Sequence, residues 1–450
     1  MSSRSTVFLV PGLTGTQLRD CISGRLLWLN PELMLDCPAS LMEYLDLHYD
    51  TRTKSFTSIR GVATGGDVGD LKSIKMITEP AMCSGGQFDQ FVRFLVAIGG
   101  YTEDKDLFGV PYDWRLILDP TYWGMLSSAL KVSIERHTGG CSNTRATLIG
   151  FSLGGIIITR FLREQDVEWR HRFIKRVIFA AVPIGGSPKA FISVCGNTDE
   201  LPGYNTPCVR RFLQRCSGAF LCHPIPACFP GLKIIENLKD DDSCDVVSFG
   251  VDQLKQAYSH RKYHNPSVLE IYTDYGDMIN GLMTEGIADD VELHVVYSSV
   301  RDTTIALDYR GGSHGHKVRE TEYYQQVRDE LRLKIEEGKI VKPKRRRSRR
   351  DDDCLEKLPL CEEPFIVGDG IVPFVSLAFW DNKKYPDGRP FVTTTKLFTG
   401  YQYEHSELFN RTAVIQHVYD LLEVSCLDHR LEPLNIGLNA DARPLRGDEI

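Results

Sequence analysis

The chain has 450 residues, 42% of them hydrophobic, 25% charged and 10% aromatic, with a formal net charge of −7. That length holds one large domain or two to three ordinary ones, and the composition is that of a folded globular protein rather than a fibrous or disordered one. The acidic balance argues against a nucleic-acid partner, and no apolar run reaches the roughly 18 residues that a membrane-spanning helix needs.

Along the chain, Met1-Ser-Ser-Arg runs directly into the apolar segment Val7–Val10. This is too short for a signal-peptide core, so a cytoplasmic or peripherally membrane-associated protein is expected. Val7–Val10 predicts a strand, followed by the turn-rich Pro11-Gly-Leu-Thr-Gly. Phe88–Ile98 carries helical apolar spacing at Phe88, Phe91, Val92 and Leu95, and Gly99-Gly100 ends it. Phe108–Val110 is a short apolar run leading into Pro111-Tyr-Asp-Trp-Arg115, and Met125–Arg136 is again helical in pattern. Ala146–Gly150 predicts a buried strand, Leu153–Arg163 a helix, and Val177–Ala181 a strand that stops at Pro183 and the pair Gly185-Gly186. Strands alternating with helices predict a mostly parallel central sheet covered by helices, the α/β class.

From Pro188 to about Ser267 the pattern breaks into Pro, Cys and Gly with short helical pieces, which is read as a cap over the sheet edge. Leu293–Tyr297 restores a strand, and Glu320–Glu337 predicts a charged, exposed helix. The block Lys342–Arg350, followed by Asp351-Asp-Asp353, is read as a solvated, disordered loop. A nuclear-localisation signal or an anionic-lipid patch is the functional reading of the same block. The resulting division is a core of 1–187 and 288–426 with a lid near 21–60, a cap of 188–287, a basic loop of 338–362 and a tail of 427–450.

The cysteine count is 13, an odd number, so complete pairing within one chain is impossible. Cys195, Cys208, Cys216, Cys222, Cys228 and Cys244 fall in one stretch without the spacing of a zinc site. Free thiols are the expectation there, with a local disulfide knot as the alternative.

The pattern G-x-S-x-G occurs at Gly150-Phe-Ser152-Leu-Gly154 and at Gly311-Gly-Ser313-His-Gly315. The chemistry needs a serine on a tight strand-to-helix turn, where small residues let the helix pass close to the strand. Ser152 follows the apolar Ala146-Thr-Leu-Ile149 and precedes the apolar Leu153–Leu162. Ser313 leads into a charged segment. Ser152 is therefore the candidate nucleophile. Its base and orienting acid should follow in the order acid, then histidine. Residue order alone leaves two pairs open, Asp369 with His405 and Asp302 with His314 or His316. His417 reads as a surface or packing residue. Of the two N–H donors an oxyanion requires, one is assigned to Leu153, directly after the serine, and the second to Leu13 in the loop after the first strand.

These residues resemble the lecithin:cholesterol acyltransferase and lysosomal phospholipase A family, an α/β-hydrolase family, and the resemblance covers most of the chain as ordered landmarks. Val10-Pro-Gly-Leu-Thr-Gly-Thr-Gln-Leu18 looks like the family's opening loop and Gly109-Val-Pro-Tyr-Asp-Trp-Arg115 its most distinctive internal motif. Leu148-Ile-Gly-Phe-Ser-Leu-Gly154 matches the elbow and Ala181-Val-Pro-Ile-Gly-Gly-Ser187 the turn after it. Gly368-Asp-Gly-Ile-Val-Pro373 resembles the acid turn and Tyr403-Glu-His405 the histidine segment. The resemblance selects Asp369 and His405. It also implies a lid around Trp28, Leu29 and Met34 that meets lipid, with a Cys21–Cys37 bridge, if formed, as its staple. Asp113, Trp114 and Arg115 would shape the floor of the site. The sequence departs from the family at Phe151, where histidine is usual, at Ile371, where a small polar residue is common, and at Val295 and Ala378, where a second disulfide would lie.

What the resemblance implies is acyl transfer from glycerophospholipids at a membrane or lipid surface, to water or to an alcohol or sterol, with no metal or organic cofactor. The competing readings are a soluble carboxylesterase and a catalytically silent lipid-binding protein. Sequence does not reach the oligomeric state.

Overall fold

The computed structural model of the chain describes residues 5–78, 86–139, 145–195, 207–239, 245–263, 265–310, 315–320, 368–399 and 401–422. Strand β1, Thr6–Val10, is buried along its whole length. Val7 and Leu9 enter one hydrophobic core while Phe8 and Val10 enter another. A strand apolar on both faces belongs in a sheet covered on both sides. It is joined by β2 (Leu107–Gly109), β3 (Ala146–Phe151), β4 (Ile174–Ala180), β5 (Leu293–Ser299) and β6 (Thr394–Thr399). All neighbouring pairs are parallel, in the order β6-β5-β4-β3-β1-β2.

The strand order reverses at β1. The chain leaves β1 for the edge strand β2, then returns to β3 on the other side and proceeds outward to β6. The C-terminal ends of β1 and β3 therefore lie side by side, with Val10 in register with Gly150. Ligand sites in open α/β sheets form at such a reversal, because the loops leaving the two strands diverge and open a crevice.

Helices cover both faces. One core takes α1 (Asp89–Ala97), through Phe91, Val92 and Leu95, and α5 (Thr412–Leu421), through Val414, Ile415 and Val418. The other takes α2 (Pro120–Thr138), α3 (Leu153–Arg163) and α4 (Pro266–Thr284). The start of α2 is set by Asp119, whose carboxylate accepts the Tyr122 N–H, and by Pro120 in the first turn. Its end is set by Gly139 at φ 61°. These caps lengthen the helix beyond the apolar pattern of Met125–Arg136. The run Ile156-Ile-Ile158 in α3 is a poor helix former on intrinsic preference. Burial on nearly every side overrides that preference.

Strands also form where none were read. Val246–Gly250, Lys233–Lys239, Thr304–Asp308 and His316–Arg319 make a second, mixed four-stranded sheet in that order. Its register shifts at several points, which breaks the period-two alternation that would have announced it. Near the amino end, Leu26–Trp28, Leu18–Asp20 and Val62–Thr64 form a small antiparallel sheet.

Ser313, His314, Cys244, the basic block Lys342–Arg350, the acidic triplet after it, His429 and the tail 427–450 lie outside the described residues, as does the charged segment after Glu320. Glu320 itself was expected on an exposed helix and is instead fully buried. The backbone N–H groups of Gly368 and Phe374 donate to its carboxylate.

Candidate active site

Ser152 stands between the last residue of β3 and the first of α3, at φ 51° and ψ −125°. Positive φ is costly for a non-glycine residue, and surrounding structure must hold it. Here the Ser152 N–H donates to the Ala180 carbonyl of β4 at 2.9 Å, and the Gly155 N–H donates to the Ser152 carbonyl at 3.0 Å. A Cβ on Gly154 would overlap the Val10 carbonyl oxygen, so only glycine lets α3 start this close to β1.

His405 opens a 3₁₀ turn, His405–Asn410, that precedes α5. Leu408, in this turn, is buried. His405 Nε2 is 3.0 Å from Ser152 Oγ, and its Nδ1 is 2.6 Å from Asp369 Oδ2. With the Nδ1 proton facing the carboxylate, Nε2 is the acceptor for the serine hydroxyl. The backbone closes the same contact, since the His405 N–H donates to the Asp369 carbonyl at 3.1 Å. Ser298 Oγ, on β5, donates to the Tyr403 carbonyl at 2.6 Å and ties the histidine segment to the sheet. Phe151 packs against the His405 ring with centroids 5.3 Å apart, and against Phe88 and Phe409. The side chain that departs from the family pattern thus forms an apolar wall behind the imidazole.

Asp369 is buried in a turn that supplies its own donors. Its Oδ1 accepts the Ile371 and Val372 N–H groups at 3.0 and 2.8 Å, leaving Oδ2 for His405. The turn is gripped from outside as well. Glu320 accepts the Gly368 N–H at 2.9 Å and the Phe374 N–H at 3.1 Å, one on each carboxylate oxygen. Burial, before any charge effect, pushes the Glu320 carboxyl up to about 8. Burial thus favours the uncharged form of a group that stands near Asp369, against the pull of the two N–H donors toward the carboxylate. Sequence reading missed this residue, because a lone glutamate at the head of a charged stretch gives no local signal of burial.

The carboxylate that reaches His405 is that of Asp369. Asp302 lies just after β5, with its carbonyl accepting from Arg319 at 3.4 Å. His316 is exposed on its strand and His417 is half-buried in α5, packed near Phe398.

Leu153 and Leu13 flank the serine from α3 and from the loop after β1. A Cβ added at Gly12 would sit 2.9 Å from Ser152 Cβ, and one added at Gly218 would meet the side chains of both leucines. Among the described residues no acceptor is assigned to the N–H of Leu13 or of Leu153. Behind this loop, Arg115 is fully buried. It makes a two-pronged contact with Asp113 at 2.7 and 3.0 Å and donates to the Leu45 carbonyl at 2.9 Å. The Trp114 carbonyl accepts the Gly218 N–H.

Of the apolar stretch read as a lid, Leu26 and Leu27 are buried in the core, while Trp28, Leu29 and Met34 are half-buried. The Trp28 indole donates to the Thr14 carbonyl at 2.9 Å and packs edge-on against Trp114. Cys21 and Cys37 are both exposed, unbridged thiols, so the staple that the resemblance suggested is absent. Cys195, Cys216 and Cys222 are buried thiols whose burial raises their pKa, to about 12 for the last two. Among the described residues no group of three or more metal-binding side chains is found, and no helix is long and apolar enough to cross a membrane.

Chemically, a hydroxyl at hydrogen-bond distance from an imidazole, with a buried carboxylate on the far ring nitrogen, can deliver a nucleophile to an ester carbonyl.

The family model described as lecithin:cholesterol acyltransferase matches residues 25–345. The "Lysosomal phospholipase A and acyltransferase" of Bos taurus is 30% identical over 225 residues, which cover 44% of this chain and 53% of that protein. The "Lecithin-cholesterol acyltransferase-like 1" of Arabidopsis thaliana is 28% identical over 187 residues, covering 38% and 41%. The chain thus spans about half the length of the curated relatives it matches. Among solved structures, that titled "The crystal structure of Tle4-Tli4 complex" shares 13% identity at a TM-score of 0.53, covering 94% of this chain and 99% of that one. At that identity the likeness is one of fold.

Proposed function

The chain belongs to the lecithin:cholesterol acyltransferase family, and from that membership and the geometry around Ser152 we propose that it is a serine-dependent lipid acyl hydrolase or acyltransferase acting on glycerophospholipids. The observation that carries the reading is the continuous hydrogen-bonded run from Ser152 Oγ through His405 to Asp369, assembled from residues 253 and 36 positions apart in sequence. Its relatives, a lysosomal phospholipase A and acyltransferase among them, point to the substrate class.

In the proposed reaction Ser152 Oγ attacks the acyl carbonyl as His405 Nε2 takes its proton. Asp369 holds the imidazole in the tautomer that can accept it and stabilises the imidazolium that results. The negative charge that develops on the carbonyl oxygen is met by the N–H groups of Leu13 and Leu153. The C–O bond to the glycerol breaks, and His405 returns the proton to the departing alcohol. The acyl-enzyme then passes its chain to water, as in a phospholipase, or to an alcohol, as in an acyltransferase. His405 takes the proton of whichever acceptor enters and returns it to Ser152 Oγ as the bond to the acyl group breaks. Residues 188–287 are read as a cap over this site, and the half-buried Trp28, Leu29 and Met34 as the apolar rim that meets the lipid surface.

The test is product analysis. Wild type and Ser152→Ala are incubated with phospholipid vesicles, with and without a long-chain alcohol or a sterol. Free fatty acid or a new ester that depends on Ser152 is expected. Turnover should fall by on the order of a millionfold in the variant if the three residues act as a unit. Hydrolysis of short soluble esters alone would replace the proposal with a soluble carboxylesterase. No product, together with no labelling by a serine-directed acylating probe, would leave a silent lipid-binding protein.

A further inference from the structure

Gln87 lies two residues before α1, half-buried, and its carboxamide spans the loop that follows β1. Its Oε1 accepts the Gly12 N–H at 2.8 Å, and its Nε2 donates to the Leu13 carbonyl at 3.3 Å. One end of the amide needs a donor and the other an acceptor, so the pairing also fixes which way the carboxamide is turned. The loop is shaped to receive it. A Cβ on Gly15 would overlap Gln87 Oε1, and one on Gly12 would stand 3.3 Å from it. The spacing Gly12-Leu-Thr-Gly15 thus clears room for a side chain that arrives from elsewhere in the sequence.

The two contacts bracket a single peptide group. The Gly12 N–H and the Leu13 carbonyl are occupied by Gln87. Between them, the Gly12 carbonyl accepts the Gly15 N–H at 3.0 Å inside the turn. In a trans peptide the C=O and N–H point in opposite directions, so the Leu13 N–H is turned out of that hairpin. No acceptor is assigned to it among the described residues. A Cβ built on Gly12 would stand 2.9 Å from Ser152 Cβ, so the peptide that carries this N–H adjoins the serine.

We infer that Gln87 is a positioning residue that locks the Gly12–Leu13 peptide so that the Leu13 N–H is held ready for the oxyanion. The inference rests on the proposed function, since an oxyanion forms only if Ser152 attacks a carbonyl. Its energetic logic is preorganisation. A donor held in place before the reaction costs nothing to orient as charge develops, whereas a loop free to rotate that peptide must be ordered during the step. Gln87 touches neither substrate nor reacting atoms, so its effect should fall on kcat and on affinity for the tetrahedral state, and leave ground-state binding alone.

Gln87→Met keeps the length and bulk of the side chain while removing both hydrogen bonds. In the full chain it should lower kcat on a soluble ester by about tenfold to a hundredfold, less than complete removal of an oxyanion donor, with KM within about twofold. Inhibition by a long-chain trifluoromethyl ketone, whose serine adduct carries an oxyanion, should weaken in parallel. Gln87→Glu keeps the acceptor for Gly12 but sets a carboxylate against the Leu13 carbonyl, and should be slower than Gln87→Met. Independently of turnover, hydrogen–deuterium exchange in residues 11–17 should quicken in Gln87→Met while β3 and α3 exchange as in wild type. Unchanged kcat and ketone affinity in Gln87→Met would overturn the inference, as would unchanged exchange in the loop. A loss confined to KM would overturn it too. A wild type that neither turns over ester nor labels at Ser152 would instead defeat the underlying function.

Discussion

At the scale of single residues, the site is a set of groups each held by more than one contact. Asp369 is the plainest case, because its own turn saturates one carboxylate oxygen and leaves the other for the imidazole. Asp369→Asn should therefore cut kcat by on the order of ten-thousandfold, since the amide favours the wrong histidine tautomer. Asp302→Asn should change it little, and steady-state kinetics on a soluble ester will tell the two apart. The reverse ranking would move the acid role to Asp302. The strand-to-helix turn at Ser152 was legible in the sequence, because an apolar strand, a glycine pair and an apolar helix surround it at fixed spacing. The choice of Asp369 and His405 as its candidate partners came only from the family landmarks, since residue order left Asp302 open. Glu320 and Gln87 were not legible. Each acts through two backbone groups distant in sequence, and such contacts leave no trace in local pattern.

At the scale of elements, sequence reading succeeded wherever a segment is buried in one continuous way. Helix α3 was read with the bounds it has, and β1, β3 and β5 lie within two residues of expectation, because burial on both faces writes long apolar runs. It failed on β6, whose Thr394-Thr-Lys396 is exposed and polar, and on the second sheet, whose bulges disrupt alternation. It also fell short on α2, where a cap rather than the apolar pattern sets the start. Asp119 does two things there. One oxygen caps α2 at the Tyr122 N–H and the other accepts the Phe56 N–H at 2.8 Å, joining the hairpin Leu47–Ser58 to the helix. Asp119→Ala should cost about 2 kcal/mol, the sum of a lost cap and an unpaired buried N–H. The urea-unfolding midpoint is the measurement, and a cost below about 0.5 kcal/mol would show that the cap is idle.

Across the whole molecule, the parallel sheet accounts for where the chemistry can be. The loop carrying Leu13 leaves β1 and the turn carrying Ser152 leaves β3, the adjacent strands on either side of the topological reversal. Asp369 and His405 come from the segments after β5 and β6. Residues read from separate motifs therefore meet at one edge of one sheet. Stability of this whole should depend on pH through His223, which is fully buried, donates to the Ala219 carbonyl and pairs with the Tyr258 hydroxyl. Burial lowers its pKa from 6.5 to about 4. The unfolded chain then binds more protons than the folded one between those values, so the contribution is complete above pH 6.5 and is lost as pH falls toward 4. His223→Gln lacks this titration. The wild type's stability advantage over it should shrink by about 3 kcal/mol from pH 7 to pH 4. Chemical unfolding of both proteins across that range is the check, and a constant gap would mean that His223 does not titrate on unfolding.

The most direct test of the central claim is to look for the acyl group on the protein itself. Wild type is mixed with phospholipid vesicles, quenched in acid within the first turnovers, digested and mapped by mass. The account predicts an added fatty-acyl mass on the peptide that contains Ser152, absent from Ser152→Ala. An acyl adduct elsewhere, or undiminished fatty-acid release by Ser152→Ala, would contradict it.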